Sequence, residues 1–174
     1  LVGSEMCIRD SYMNDRIAIW QNPWSDMRGD GYQTIQSLYA IGSGGLLGVG
    51  LGNSRQKFLY IPEPQNDFVF SIVCEELGYI GAALVLILFA LLIIRGYWLA
   101  IHARDRFGAL LIVGVTTQVA VQVFLNIGVV TNLFPVTGIS LPFFSYGGTA
   151  LLIQLLEMGI VLSVSRQIPA PKAG

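Results

Sequence analysis

Three stretches of this chain are apolar for long enough to cross a bilayer, and nothing else in the sequence restricts the fold as much. A spanning helix needs about 20 mostly apolar residues. The first stretch runs from about Phe68 to Ile94, and Leu77 to Ile94 carries no charge at all. The second runs from about Gly108 to Val130 and the third from about Gly147 to Val164. Composition agrees, since 53% of residues are hydrophobic and only 12% charged, whereas a globular protein carries roughly 25% charged residues. The expected fold is all-α, a polytopic transmembrane helix bundle with spans near 68–94, 108–130 and 147–164. None of the three has the charged start and small-residue cleavage site of a signal peptide. A net charge of −1 offers no basic face for nucleic acid. Two cysteines, Cys7 and Cys74, are too few for a disulfide framework, and a single histidine, His102, leaves no zinc-ligand spacing.

Basic residues in short loops set the expected orientation. Arg95, Arg104 and Arg106 lie between the first two spans, and Arg166 and Lys172 come after the third. The segment from Thr131 to Tyr146 has neither Lys nor Arg. The first loop and the tail (168–174) are therefore expected in the cytoplasm, with 14–67 and the re-entrant-like loop 131–146 outside.

Residues 1–13 have no helical period and no relation to the rest of the chain, so they are set aside as an extraneous segment. The outer loop after them carries Trp20, Pro23 and Trp24, suited to the membrane interface. Ile35, Leu38 and Tyr39 fall at helical spacing, which predicts a short amphipathic helix over Tyr32–Ile41, lying on the membrane or on the bundle. Gly42, Gly44, Gly45, Gly48, Gly50 and Gly52 come after it. Their spacing fits no phosphate-binding motif and no strand precedes them, so they predict a tight, closely packed loop. Arg55 and Lys57 come next, then Pro62-Glu63-Pro64-Gln65-Asn66-Asp67. The prolines restrict the backbone there and hold Glu63 and Asp67 at the mouth of the first span.

Polar residues inside the spans are costly and turn toward the bundle interior. Gln118, Gln122 and Asn126 recur at steps of four along one face of the second span. They serve either as interhelical glue or as the lining of a polar substrate cavity. Gln154 and Glu157 pose the same choice in the third span, while Glu75 and Glu76 sit near the outer end of the first. Pro135 to Pro142 is too broken for helix yet apolar enough to dip into the membrane, where irregular backbone survives only when packed in protein or lining a cavity. Ser145, Gly147 and Gly148 then open the third helix, whose free N–H groups favour an anion.

Three blocks together resemble the SEDS proteins (shape, elongation, division and sporulation), the family of FtsW, RodA and SpoVE. The first is Gly31-Tyr32-Gln33 through Ala40-Ile41-Gly42-Ser43-Gly44-Gly45 to Gly52-Asn53-Ser54-Arg55-Gln56-Lys57. The second is Pro62-Glu63, Asp67-Phe68-Val69-Phe70 and Glu75-Glu76-Leu77-Gly78. The third is Pro135, Gly138-Ile139-Ser140-Leu141-Pro142 and Ser145-Tyr146-Gly147-Gly148-Thr149-Ala150. The likeness is to the C-terminal part of the family, closer to its FtsW and SpoVE members than to RodA. Departures are Gln65-Asn66, where many members have His-Thr, and Asn132, where many have a small residue.

The resemblance implies a peptidoglycan glycosyltransferase of the bacterial cytoplasmic membrane, working at the septum in division or sporulation. Its substrate would be lipid II, an undecaprenyl-linked disaccharide peptide. Its partners would be a class B penicillin-binding protein and other divisome membrane proteins. An α-linked pyrophosphate donor and a β-linked product need one inverting displacement, with a base for the acceptor hydroxyl and positive charge for the leaving group. Asp67 matches the position regarded as catalytic in the family. Lys57, with Arg55 or a divalent cation, is the candidate for the pyrophosphate. Glu63, Gln118, Gln122, Asn126, Ser145, Gly147 and Gly148 are candidate substrate contacts, and no metal ligands are assigned. Read without the family, Asp67 is the N-cap of the first span. Two rival functions, a lipid II flippase and a non-catalytic scaffold, would need no base at the outer rim.

Overall fold

The structure, a computed structural model, describes residues 17–26, 30–50, 52, 68–145 and 147–167. Among these there is no strand. A helical stretch over 17–21 and a 3₁₀ turn, Pro23–Asp26, lead into α1, Asp30–Ser43. Three long helices come next: α2, Val69–His102, α3, Arg106–Val130, and α4, Gly148–Ser165. Each is long and apolar enough to cross a membrane. The chain is a membrane protein.

Helix α2 runs on to His102, so Arg95, expected in a loop, is helical and only Ala103, Arg104 and Asp105 separate α2 from α3. The reason is local. The Arg95 guanidinium lies 4.3 Å from the Trp98 ring centroid. Trp98 in turn stacks on His102 at 4.2 Å, and His102 Nδ1 lies 2.9 Å from the Trp98 carbonyl oxygen. One helix face thus carries the charge on aromatic surface, as membrane-interface residues do.

At 34 residues α2 exceeds a bilayer core, which about 20 residues span. It is not one straight rod. Gly78 has φ 69° and ψ −170°, a break that divides a short N-terminal piece from the part long enough to cross.

Helices α2 and α3 pack antiparallel around Ala82, Val85, Phe89, Val119 and Val123, with Phe68, Phe70 and Leu141 closing the same core. A second cluster, Ala100, Ile112 and Val161, ties α4 to the other end. Gly96 lets the backbones of α2 and α3 approach, since a methyl there would strike the Thr116 side chain, a small-residue contact of the kind that joins membrane helices.

Helix α1 packs on the bundle. Thr34, Ile35, Ser37 and Ala40 are buried, while Leu38 and Tyr39 are exposed. Ser37 Oγ donates to the Val130 carbonyl at 2.8 Å, and Tyr39 instead meets Trp24 edge-on at 6.1 Å. In a membrane protein the small residues face protein and the large apolar ones need not. Of the three residues at helical spacing, Ile35 is buried, while Leu38 and Tyr39 are exposed.

Candidate functional site

Asp67, Lys57, Arg55 and Glu63 lie outside the described residues, as does the 1–13 segment. The structure does describe the frame on either side of them. Directly after Asp67, Phe68 is 2% exposed and occupies the N-cap position of α2 without a side-chain capping bond. Its carbonyl instead accepts from Ser71 Oγ at 2.7 Å. The capping role considered for Asp67 lies outside the described residues.

The glycine loop docks into the break in α2. A helix interrupted at Gly78 leaves carbonyls before the break and N–H groups after it without helical partners. The loop meets both. Val49 and Gly50 donate their N–H groups to the Glu75 and Glu76 carbonyls at 3.0 and 3.1 Å, while Tyr79 and Ile80 donate to the Gly45 and Leu46 carbonyls at 2.9 and 3.3 Å. The approach needs bare backbone. A Cβ on Gly44 would strike the Cys74 carbonyl, one on Gly48 the Glu76 carbonyl, and one on Gly78 the Gly48 nitrogen. Glu75 at this junction is 3% exposed. The neighbouring Glu76 Oε1 is buried and has no hydrogen-bond partner among the described residues.

The loop between α3 and α4 is held differently, by side chains. Asn126 Nδ2 donates to the Ile139 carbonyl at 2.8 Å. Gln154 Oε1 accepts from the Phe143 N–H at 3.0 Å, and its Nε2 donates to Gln122 Oε1 at 3.1 Å. Leu141, 1% exposed, is drawn into the core. Phe143 has φ 65° and Asn132 φ 59°. Asn tolerates the left-handed region, but a Phe there is an outlier that its surroundings must enforce. Trp20 Nε1 donates to the Asn132 carbonyl at 3.1 Å, tying the segment before α1 to this loop.

One helical turn deeper, Gln118 Nε2 donates to Glu157 Oε1 at 3.2 Å, and the buried Glu157 Oε2 has no hydrogen-bond partner among the described residues. Gln118 and Gln122 thus both bond α4, through Glu157 and Gln154, while Asn126 bonds the loop. Gln154 was visible in the sequence only as a polar residue one turn from Glu157; its grip on Phe143 was not. Gly147 caps α4 in extended conformation, and its carbonyl accepts from the Leu151 N–H at 2.8 Å. Gly148 begins the helix and is exposed, and Ser145 is partly buried. The N-terminus of α4 therefore opens beside the pinned loop.

Sequence and fold both match known proteins. A family model described as cell cycle protein, covering FtsW, RodA and SpoVE, matches residues 3–169. The chain belongs to this family. Stage V sporulation protein E of Bacillus subtilis (strain 168) is 56% identical over 155 residues, which are 89% of this chain and 42% of that protein. The "probable peptidoglycan glycosyltransferase FtsW" of Geobacter metallireducens is 45% identical over 157 residues, 90% of this chain and 42% of that one. This FtsW/RodA/SpoVE chain therefore spans less than half the length of the curated relatives it matches. A chain from a structure described as "structural coordination of polymerization and crosslinking by a peptidoglycan synthase complex" superposes with a TM-score of 0.68 at 35% identity, over 92% of this chain and 43% of that one.

Proposed function

We propose that the complete protein is a peptidoglycan glycosyltransferase that polymerises lipid II at the outer face of the bacterial cytoplasmic membrane. The observation that carries this reading is the family membership, with a close relative named for that activity. The frame supports it physically. Two loops of irregular backbone are packed rigidly beside the start of α2, the segment that Asp67 precedes in the chain. A substrate with a polyprenyl tail and a sugar head needs a site where membrane and water meet.

In this reading Asp67 takes the proton of the acceptor hydroxyl as that oxygen attacks the anomeric carbon. The bond to undecaprenyl pyrophosphate breaks on the opposite face, with inversion. Lys57 and Arg55 supply positive charge to the departing pyrophosphate. A divalent cation is an alternative source of that charge. Among the described residues no cluster of three or more His, Cys, Asp or Glu side chains offers it a site. The α4 N-terminus at Gly147 and Gly148, with Ser145, Glu63 and the Gln118–Gln122–Asn126 face, completes the proposed substrate contacts. A class B penicillin-binding protein that cross-links the strands is the proposed partner, in line with the coupling of polymerization and crosslinking in the solved complex. Other divisome membrane proteins and a place at the septum belong to the same proposal.

Asp67→Asn in the full-length protein tests it. With partner and lipid II supplied, strand formation should fall by about 10²–10⁴, the usual cost of losing a general base. Abundance and thermal stability should be unchanged, because Asn and Asp rank alike at a helix N-cap. Wild-type polymerisation by this variant would remove Asp67 from the reaction and restore the flippase or scaffold.

A further inference from the structure

Between the outer segment, α1 and the pinned loop lies a cavity of about 60 Å³. By the same measure one water needs about 10–15 Å³, so the space admits a small group of several heavy atoms and no sugar ring. Its polar lining is Gln33, Thr34 and Asn132, and its apolar walls are Ile19, Pro135 and Val136, with Trp20 between them. The Trp20 N–H is already spent on the Asn132 carbonyl. The Gln33 amide and the Thr34 hydroxyl make no side-chain hydrogen bond to another described residue, although Thr34 is only 3% exposed. Gln33 is half-buried and both residues line the cavity, so their side-chain polar atoms are available to a guest there.

We infer that this cavity is a subsite for the acetamido group of an N-acetylated sugar. Such a group needs three things: a donor for its carbonyl, an acceptor for its N–H and an apolar wall for its methyl. Gln33 carries donor and acceptor at once, the Thr34 hydroxyl is a second donor, and the Asn132 amide repeats the pair. Ile19, Pro135 and Val136 form the wall. A peptide offers the same amide chemistry but continues on both sides of it, whereas this small cavity suits a group that ends in a methyl. Trp20, through its bond to Asn132, fixes the register of one wall against the other. The inference rests on the polymerase reading and deepens it, since both sugars of lipid II carry an acetamido group.

The test is direct binding to the full-length protein in complex with its partner, in detergent, by saturation-transfer NMR. The probes are a tetramer of N-acetylglucosamine and its de-N-acetylated counterpart, with lipid II polymerisation measured on the same preparation. The acetyl methyl protons should receive the strongest saturation, and the deacetylated tetramer should bind at least tenfold more weakly. Gln33→Leu should weaken the acetylated tetramer by about tenfold, the value of one or two neutral hydrogen bonds. Thr34→Val, of equal shape, provides the second variant if Gln33→Leu does not fold. Equal binding of the two tetramers, or variants that bind as wild type does, overturns the subsite. So does displacement of the tetramer by a free stem peptide that takes over the same contacts. An active polymerase without acetyl-dependent binding sinks the subsite alone. Acetyl-dependent binding without polymerisation sinks the polymerase reading and leaves the subsite.

Discussion

Two irregular segments enter this bundle, and they are secured by opposite means. The glycine loop of residues 44–50 meets the break in α2 backbone to backbone, with four N–H···O=C bonds and no side chain involved. The loop after α3 is gripped by Asn126 and Gln154, side chains that reach from the spans to its main chain. In hydrocarbon both devices answer the same demand, since every buried backbone group needs a partner. They differ in what breaks them. The first fails when an atom is added, the second when a polar atom is taken away.

The sharpest way to break the comparison is Gly78→Ala. It forces a side chain into the left-handed region and drives its methyl against the Gly48 nitrogen. A cost of about 3 kcal/mol or more is expected, read as loss of thermal stability and of folded protein in the membrane. A stable Gly78→Ala protein would mean that the junction is not close-packed. Gln154→Leu comes next. It strands the Phe143 N–H and the Gln122 carbonyl oxygen at once, for about 1–3 kcal/mol. Gln118→Leu, at an exposed position, loses its bond to Glu157 Oε1 and should cost about 0.6 kcal/mol, the average for such bonds between membrane helices. Equal effects of these two substitutions would show that the loop does not depend on its side-chain grip. The smallest effect is expected of Gly42→Ala in α1, where a Cβ meets nothing within 4 Å. It should raise stability by about 0.5–1 kcal/mol through helix propensity, in contrast to its neighbours Gly44 and Gly48.

The three spans were legible because length and apolarity alone demand them. Helix α1 was legible as a helix, but which of its faces meets the bundle was not, since hydrophobicity no longer marks the protein side when the surroundings are lipid. The break in α2 left no sign in the sequence. Leu77-Gly78-Tyr79-Ile80-Gly81 reads like ordinary membrane helix, where glycine is common, and only the partner at Gly48 distinguishes one glycine from the other. The polar face of α3 was legible as a face, but periodicity carries no information about partners. Gln154 and Gln122 pair across helices, and Phe143 adopts a backbone its residue type would not suggest. Gln33 and Thr34 were read only as parts of a helix, because what makes them notable is an empty space completed by residues a hundred positions away.

The broken helix also constrains how the protein is made. Until the glycine loop arrives, the groups freed at Gly78 face lipid unpaired, each at a cost of several kcal/mol. The loop precedes α2 in the chain, so on the ribosome residues 44–50 emerge first and are on hand when the break is made. Integration of α2 and docking of the loop are then one event, and a chain whose order of synthesis were reversed would have to insert its longest helix with a hole in its hydrogen-bond ladder.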